Sequence, residues 1–357
     1  MSSRGRIVVA MSGGVDSATA AALLHEQGWQ VVGVTLRLYD ASGTAASLGG
    51  RCCGPRDIED ARAVAARLGF AHYVLDESEA FRRAVIDDFV AEHRAGRTPN
   101  PCVRCNERLK FGPLLRLARA VGAEALATGH YARLDRAGGS VRLRRALDAH
   151  KDQAYFLFGV APELLAMVQF PLGDLHKAEV RATAQRLGLP NWDKPDSQQI
   201  CFIPDGDHRA FVEAQGGGGR PGAIVDERGE VLAAHAGTHH FTVGQRKGLP
   251  AGRAPRFVLR VDAGSGNVHT GPRADLRRHG LRVADVRWLD HPGSDCLRAH
   301  VQIRHHCAAR LATLTPAPRD LGTHVDVQFD SPVEAVAPGQ AAVFFDGDRV
   351  LGGGWIA

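Results

Sequence analysis

No stretch of this chain stays apolar for the roughly 20 residues that a bilayer-crossing helix requires, which argues against a helical membrane span. The segment Met1–Ala10 moves directly into a strand-like run and lacks the apolar core and cleavage site of a secretory signal. The expectation is a cytoplasmic protein with no membrane partner. Cysteine occurs in odd number, at Cys52, Cys53, Cys102, Cys105, Cys201, Cys296 and Cys307. In a cytoplasmic chain an odd count argues against a structural disulfide framework. Lysine is nearly absent: of 44 basic residues five are Lys and 39 are Arg. GC-rich coding accounts for such a bias, and arginine still binds phosphate wherever it clusters. The net charge of +5 is compatible with a nucleic-acid partner. No internal repeat is visible.

What is present is an ordinary globular composition, 44% hydrophobic and 23% charged, in 357 residues, which suggests two or three domains. The first 200 residues alternate strand and helix patterns. Strands are expected at Arg6–Met11, Gln30–Leu36, His72–Leu75 and Ala123–Ala127. Helices are expected at Asp16–Gln27, Asp57–Leu68, Phe81–Arg94, Asn106–Val121 and Lys177–Leu187. Such alternation implies a parallel sheet covered on both faces. After about Asp205 the pattern changes to short β runs punctuated by Gly, Pro and Asp, which suggests small barrels or sandwiches. Boundaries are expected near 205–215 and 275–282.

Ser12-Gly13-Gly14-Val15-Asp16-Ser17 lies between the first strand and the first helix. A helix N-terminus presents unpaired N–H groups at the positive end of its dipole, and two glycines let the backbone approach an anion closely. With the hydroxyls of Ser12 and Ser17 this makes a phosphate cradle. It lacks the Gly-Lys-Ser/Thr ending of a Walker loop. The string resembles the pyrophosphate loop of the N-type ATP pyrophosphatases, which adenylate a carbonyl or carboxylate.

Thr98-Pro99-Asn100-Pro101-Cys102-Val103-Arg104-Cys105-Asn106 precedes the helix expected from Asn106. Its prolines impose an extended approach. Cys105 near that helix start would have a lowered thiol pKa, with Arg104 and Arg108 adding positive potential. A buried structural thiol, or half of a zinc site, is the alternative. Cys201, in Ile200-Cys201-Phe202-Ile203, reads by itself as a small core residue of an apolar strand. Spacing alone does not link it to Cys105.

Taken together, the chain resembles the bacterial tRNA-specific 2-thiouridylases. The matching strings are Ser12–Ser17, Gly96–Asn106, Ala127–Tyr131, Lys151–Phe156, Ile200–Ile203, Thr242–Leu249, Pro338–Gln340 and Leu351–Gly354, in the expected order along the chain. The resemblance implies an adenine-nucleotide α-hydrolase-like α/β domain (1–208), a small central domain (209–279) and a C-terminal β-barrel that binds tRNA (280–357). It implies a sulfurtransferase that adenylates the wobble uridine 2-carbonyl with ATP and Mg²⁺ and replaces the oxygen by sulfur. Ala10, Met11, Ser12, Gly13, Gly14, Val15, Asp16, Ser17, Leu36 and Gly129 would line the ATP site. Cys201 would carry sulfur as a persulfide, with Cys105 as its partner through nucleophilic attack or a transient disulfide. Asn100, Pro101 and Cys102 would border the target base, and His130, Lys151, Asp152, Gln153, Arg304, His305 and Gln340 would touch tRNA. The implied partners are Glu, Gln and Lys tRNAs and a sulfur donor or relay protein.

One departure matters. Some members of the family carry Asp where this chain has Cys102. Cys102, Cys105 and Cys201 make three thiolates, a set able to hold an iron–sulfur cluster with one open iron. The paired thiols and RNA-facing strings argue against an ammonia-dependent synthetase for GMP or NAD. The Gly-Gln-Arg-Lys-Gly-Leu string argues against a cytidine thiolase, and a non-catalytic RNA-binding module has no need of three placed thiols. His305-His306 reads as an RNA contact rather than a metal site, and Cys52, Cys53, Cys296 and Cys307 read as structural or incidental.

Overall fold

The computed structural model describes residues 4–39, 54–136, 139–196, 199–203, 205–252, 254–290, 296–317 and 324–357; Cys52 and Cys53 lie outside them. Two compact units emerge. The first comprises residues 1–85, 102–206 and 348–350, and the second residues 86–101, 207–347 and 351–357.

The first unit is a five-stranded sheet. Its strands are β1 (Arg6–Ala10), β2 (Gln30–Arg37), β3 (Ala71–Asp76), β4 (Ala125–Thr128) and β7 (Val168–Gln169), in the order β3-β2-β1-β4-β7, all parallel. A short antiparallel pair, β5 (Ala132–Asp135) and β6 (Arg142–Arg145), follows β4. The helices are α1 (Val15–Glu26), α2 (Pro55–Leu68), α3 (Ser78–Phe81), α5 (Pro101–Cys105), α6 (Phe111–Ala120), α7 (Pro162–Leu165) and α8 (Lys177–Arg186), while α4 (Asp87–Arg94) belongs to the second unit. Ile7, Val9, Val31 and Ala127 from the sheet pack with Val15, Ala18, Leu24 and Val64 from α1 and α2. The Ala-rich sequence of α1 suits this. Small side chains let it lie close to the sheet, and eight of its 12 residues are buried, on more than one face.

Two segments differ from expectation. The helix carrying the thiols starts at Pro101, five residues earlier than the pattern predicts, and runs through a π-helical turn (Asn106–Lys110) into α6. Proline is suited to the first helical position, where its missing N–H costs nothing and its fixed φ is already helical. Cys201 lies in a turn rather than a strand, with Ile203 N–H bonded to Ile200 O (2.9 Å).

In the second unit α9 (His208–Ala214) precedes a four-stranded sheet. Its order is β10 (Phe257–Val261), β11 (Val268–Gly271), β8 (Gly222–Val225), β9 (Val231–His235), over a core of Ile224, Phe241, Val258 and Val268. The barrel consists of β12 (Arg277–Trp288), β15 (Val325–Glu334), β14 (Arg310–Pro316), β13 (Leu297–Gln302), β16 (Ala341–Asp346) and β17 (Arg349–Ile356), in that order, closed by β12–β17 pairing. Closure removes the exposed edges of an open sheet. Alternation sends Val325, Val327 and Phe329 inward while Asp326, Gln328 and Asp330 face out. No helix among the described residues is long and apolar enough to cross a membrane.

Phe344 is fully buried in the barrel and packs on Trp288, with ring centroids 5.4 Å apart. Replacing it by Ala leaves a cavity in a closed core, so the expected cost is about 3–5 kcal/mol. This is read as a lowered urea midpoint of the barrel transition.

Candidate nucleotide and thiol site

The sheet order places a switch point between β1 and β4. The chain builds outward from β1 to β2 and β3, then crosses to β4 on the other side. Ligands of parallel sheets bind at such a point, beyond the carboxyl ends of the strands. Ala10, Met11 and the Ser12–Ser17 loop leave β1 there, Gly129 leaves β4, and Leu36 lies at the end of β2.

Within α1 the ladder begins with Ala18 N–H to Gly14 O (3.2 Å), so the N–H groups of Val15, Asp16 and Ser17 stand ahead of it. Ser12 N–H donates to Ser17 Oγ (3.0 Å), and Ser17 Oγ donates to Gly14 O (3.1 Å), closing the turn. Gly13 has φ +73°, and a Cβ there would lie 2.2 Å from the Asp57 carbonyl oxygen. A Cβ on Gly129 would lie 2.7 Å from Ser17 N. The absence of a side chain thus lets Gly13 pack directly on the start of α2 and Gly129 on the first turn of α1.

Besides Asp16 and Lys151, the residues that hold the loop, Asn191, Lys194, Lys177 and Asp196 among them, were not sequence candidates. Asn191 Nδ2 (3.0 Å) and Lys194 Nζ (3.1 Å) both donate to the Gly13 carbonyl. Lys194 also bridges Asp57 (2.7 Å) and Asp60 (2.5 Å). Lys177 Nζ reaches Asp16 (2.6 Å) and Asp196 (2.8 Å), and Tyr131 OH donates to Asp16 (2.9 Å). Asp196 also receives Lys151 (2.6 Å) and Arg181 (2.9 Å). Burial opposes ionisation of Asp196, but bonds from Lys151 and Lys177 outweigh it and hold its carboxyl at about 2. The one signal in the sequence was rarity: three of the five lysines gather around this loop.

Cys102 is exposed in the first turn of α5, Cys105 is buried at its end, and Cys201 is partly exposed. Cys105 therefore does not stand at the start of the helical segment, as the sequence pattern had it, but at the end of α5. Arg104 and Arg108 are drawn to Glu107 (3.0 and 3.9 Å), which offsets much of the positive potential expected from them. Asn106 is buried, donates to Phe156 O (3.1 Å) and ties the π-turn to the segment after Gln153. Phe202 anchors the Cys201 turn edge-on against Phe81 (5.6 Å).

The residues expected to face RNA fall into different settings. The His130 ring stacks on Phe111 (6.1 Å), and desolvation, with Lys110 adding, holds its pKa well below the ordinary value. It offers a neutral stacking ring rather than a charge. Asp152 is buried, accepting from Ala146 N–H (2.9 Å) and Arg145 (2.7 Å), and Gln153 Oε1 accepts from Tyr131 N–H (2.9 Å). Both side chains are engaged inside the unit. Arg304 is exposed and His305 half-buried after β13, with the His305 and His306 rings 3.8 Å apart. Gln340 Nε2 donates to Thr98 O (3.0 Å) and Pro99 O (3.3 Å), and Thr98 N–H donates to Pro338 O (2.7 Å). Gln340 thus holds the residues that lead into Asn100 and Pro101.

Among the described residues, one set of three metal-type ligands has its atoms within 4.8 Å of one another: Glu213, His239 and His240. His239 Nδ1 accepts from Gly219 N–H (2.8 Å), so its Nε2 carries the proton and donates to Glu213 (3.0 Å). That is a hydrogen-bonded set rather than a ligand set.

Three family matches divide the chain. Residues 5–205 match the family described as the tRNA methyl transferase HUP domain, 209–272 its PRC-barrel domain, and 278–356 the aminomethyltransferase beta-barrel domain. Full-length relatives carry a different name. A tRNA-specific 2-thiouridylase of Geobacter metallireducens is 49% identical, covering 99% of this chain and 97% of that protein. Those of Acidithiobacillus ferrooxidans and Zymomonas mobilis are each 47% identical over 98% of this chain, covering 98% and 93% of their own lengths.

Gly129→Ala places a methyl group over the first-turn N–H groups of α1. It is expected to weaken nucleotide binding by at least about tenfold (about 1.4 kcal/mol) and also to lower the melting temperature, since the clash is with backbone, by calorimetry and thermal denaturation. The depressed pKa of Asp196 means that it stabilises the fold above the ordinary value of 3.8, and that this contribution is lost as pH falls through about 2. The melting-temperature gap between the protein and Asp196→Asn should therefore be present at neutral pH and close between about pH 4 and 2.

Proposed function

The chain belongs to the tRNA-specific 2-thiouridylase family, and on that premise we propose that it thiolates the wobble uridine of Glu, Gln and Lys tRNAs at position 2 with ATP. The observation that carries the nucleotide half is the Ser12–Ser17 loop at the β1–β4 switch point, where the N–H groups of Val15, Asp16 and Ser17 precede the hydrogen-bond ladder of α1.

The chemistry follows from the substrate. A uridine 2-carbonyl is a poor electrophile with a poor leaving oxygen. Attack of that oxygen on the α-phosphorus of ATP forms an O–P bond and expels pyrophosphate. The N–H groups of Val15, Asp16 and Ser17, with Mg²⁺ accompanying the nucleotide, offset the developing charge. The terminal sulfur of a persulfide on Cys201 then attacks C2 and AMP departs. Cys105 thiolate attacks the Cys201 sulfur of the resulting C2–S–S link. This forms a Cys105–Cys201 disulfide and leaves both electrons on the uridine sulfur. An external thiol reductant and the sulfur donor reset the pair.

Uridine leaves its stack most easily in a single-stranded loop. Asn100, Pro101 and Cys102 are proposed to border the extruded base, and the neutral ring of His130 to stack beside it. Lys151, Asp152, Gln153, Arg304, His305 and Gln340 are proposed to lie along the tRNA path. Asp152, Gln153 and Gln340 would act mainly by holding backbone in place. An iron–sulfur cluster on Cys102, Cys105 and Cys201 would instead deliver bound sulfide, and Cys102 is the residue that separates the two routes.

The test is nucleoside mass spectrometry on unmodified Glu tRNA after anaerobic incubation with protein, ATP, Mg²⁺ and a thiol reductant, with a sulfane-sulfur (persulfide) donor in one arm and sulfide in the other. An ATP-dependent 2-thiouridine product is expected, reduced by at least about two orders of magnitude in Cys201→Ser. Full activity of Cys102→Ser with no bound iron would favour the persulfide route. Absence of product, with ATP still cleaved to AMP, would redirect the assignment to another acceptor.

A further inference from the structure

We propose that Tyr131 is a positioning residue for the adenylation step: its hydroxyl, together with Lys177, holds one oxygen of Asp16 and leaves the other to the Mg²⁺ that accompanies the nucleotide. The proposal rests on the reading of the Ser12–Ser17 loop as the ATP site.

Asp16 is the second residue of α1, and its N–H stands ahead of the helical ladder. A carboxylate there suits the positive end of the helix dipole, but it repels a phosphate. Tyr131 OH (2.9 Å) and Lys177 Nζ (2.6 Å) both donate to the same atom, Asp16 Oδ1. Asp16 Oδ2 has no hydrogen-bond partner among the described residues. A carboxylate with one oxygen fixed and one unengaged fits Mg²⁺, which takes one or two carboxylates together with substrate phosphates.

Tyr131 is fixed through its ring and through its backbone. The residue is 2% exposed and packs with Ala20, Leu172 and Val180. Its backbone N–H donates to Gln153 Oε1 (2.9 Å), and its carbonyl accepts from Gln153 N–H (2.9 Å). The phenol therefore meets Asp16 with little freedom left to lose when the bond forms. Burial, and after it the charge of Asp16, push the hydroxyl pKa well above its ordinary value. The group stays protonated and so remains a donor. Packing alone would be served by phenylalanine, which brings no buried hydroxyl to satisfy.

The two donors to Asp16 differ in a way that matters for a metal. Lys177 offsets the carboxylate charge. A second cation in place of the tyrosine would repel Mg²⁺ from the free oxygen. A neutral phenol orients the carboxylate without adding that repulsion.

The experiment measures ATP affinity of the full chain by calorimetry, with and without Mg²⁺. It uses the unaltered protein, Tyr131→Phe, Asp16→Asn and the double variant. The quantity read is the factor by which Mg²⁺ tightens ATP binding. In the unaltered protein that factor should be at least about tenfold. Tyr131→Phe should cut it at least about threefold, and kcat for thiolation should fall at least about fivefold. Asp16→Asn should cut the factor at least as far. Adding Tyr131→Phe to Asp16→Asn should change it no further, because the tyrosine acts through that carboxylate. A packing role alone would lower the melting temperature of Tyr131→Phe and leave the Mg²⁺ factor where it was. The proposal is overturned by a factor that Tyr131→Phe does not move, or by an equal loss from Tyr131→Phe in both backgrounds. Should Tyr131→Phe fail to fold, a factor unmoved in Asp16→Asn overturns it as well, as does ATP binding by the unaltered protein that ignores Mg²⁺. No ATP binding by the unaltered protein under either condition would overturn the nucleotide-site reading and this proposal with it.

Discussion

The carbonyl of Gly13 accepts two hydrogen bonds, from Asn191 and Lys194, and the geometry of the phosphate loop depends on them. Gly13 takes a left-handed φ, which turns that carbonyl away from the cradle and leaves N–H groups facing it. The same lysine holds Asp57 and Asp60 at the start of α2, so the loop, α2 and the segment after α8 share one ionic node. Burying a carbonyl this way without partners would cost the desolvation of an unsatisfied acceptor. The donors therefore both shape the loop and offset its strain.

Charge around the cradle is organised rather than merely positive. Asp16, Asp57, Asp60 and Asp196 each engage a lysine. The site thus presents ammonium groups already fixed in place, with little reorganisation left for when an anion arrives. His130, by contrast, is held neutral by its surroundings and contributes a ring. Arginine, abundant elsewhere, also forms exposed pairs such as Arg282–Asp326 and Arg298–Asp330, which add little stability individually.

In the second unit the turn at Pro338–Gln340 holds the backbone of Thr98 and Pro99. Gly339, at φ +86°, lies close against this segment, where a Cβ would meet Thr98 N at 3.0 Å. A residue that a motif comparison assigns to RNA contact is thus also a clamp on the protein's own loop. Function and local architecture draw on the same amide.

Several features were legible because they are local. The β1–loop–α1 unit follows from apolar periodicity, two glycines and an Ala-rich helix, and β2, β3 and β4 were placed within a few residues. In the residue pattern the closed barrel is visible only as a run of short strands, and the barrel itself was expected from the family resemblance, since closure is set by the pairing of β12 with β17, residues about 70 apart in the chain. The start of the thiol helix was misread because Pro101 looks like a breaker until its place at the first helical position is known. Cys201 looked like a strand residue because Ile200, Phe202 and Ile203 are apolar, yet that apolarity serves to clamp a turn. The sequence by itself determined the phosphate loop, the thiols and the family, because each rests on neighbouring residues. Only tertiary structure decided that Asn191, Lys194, Lys177 and Asp196 hold the loop, because those bonds span from about 20 to 180 residues and no local pattern encodes them.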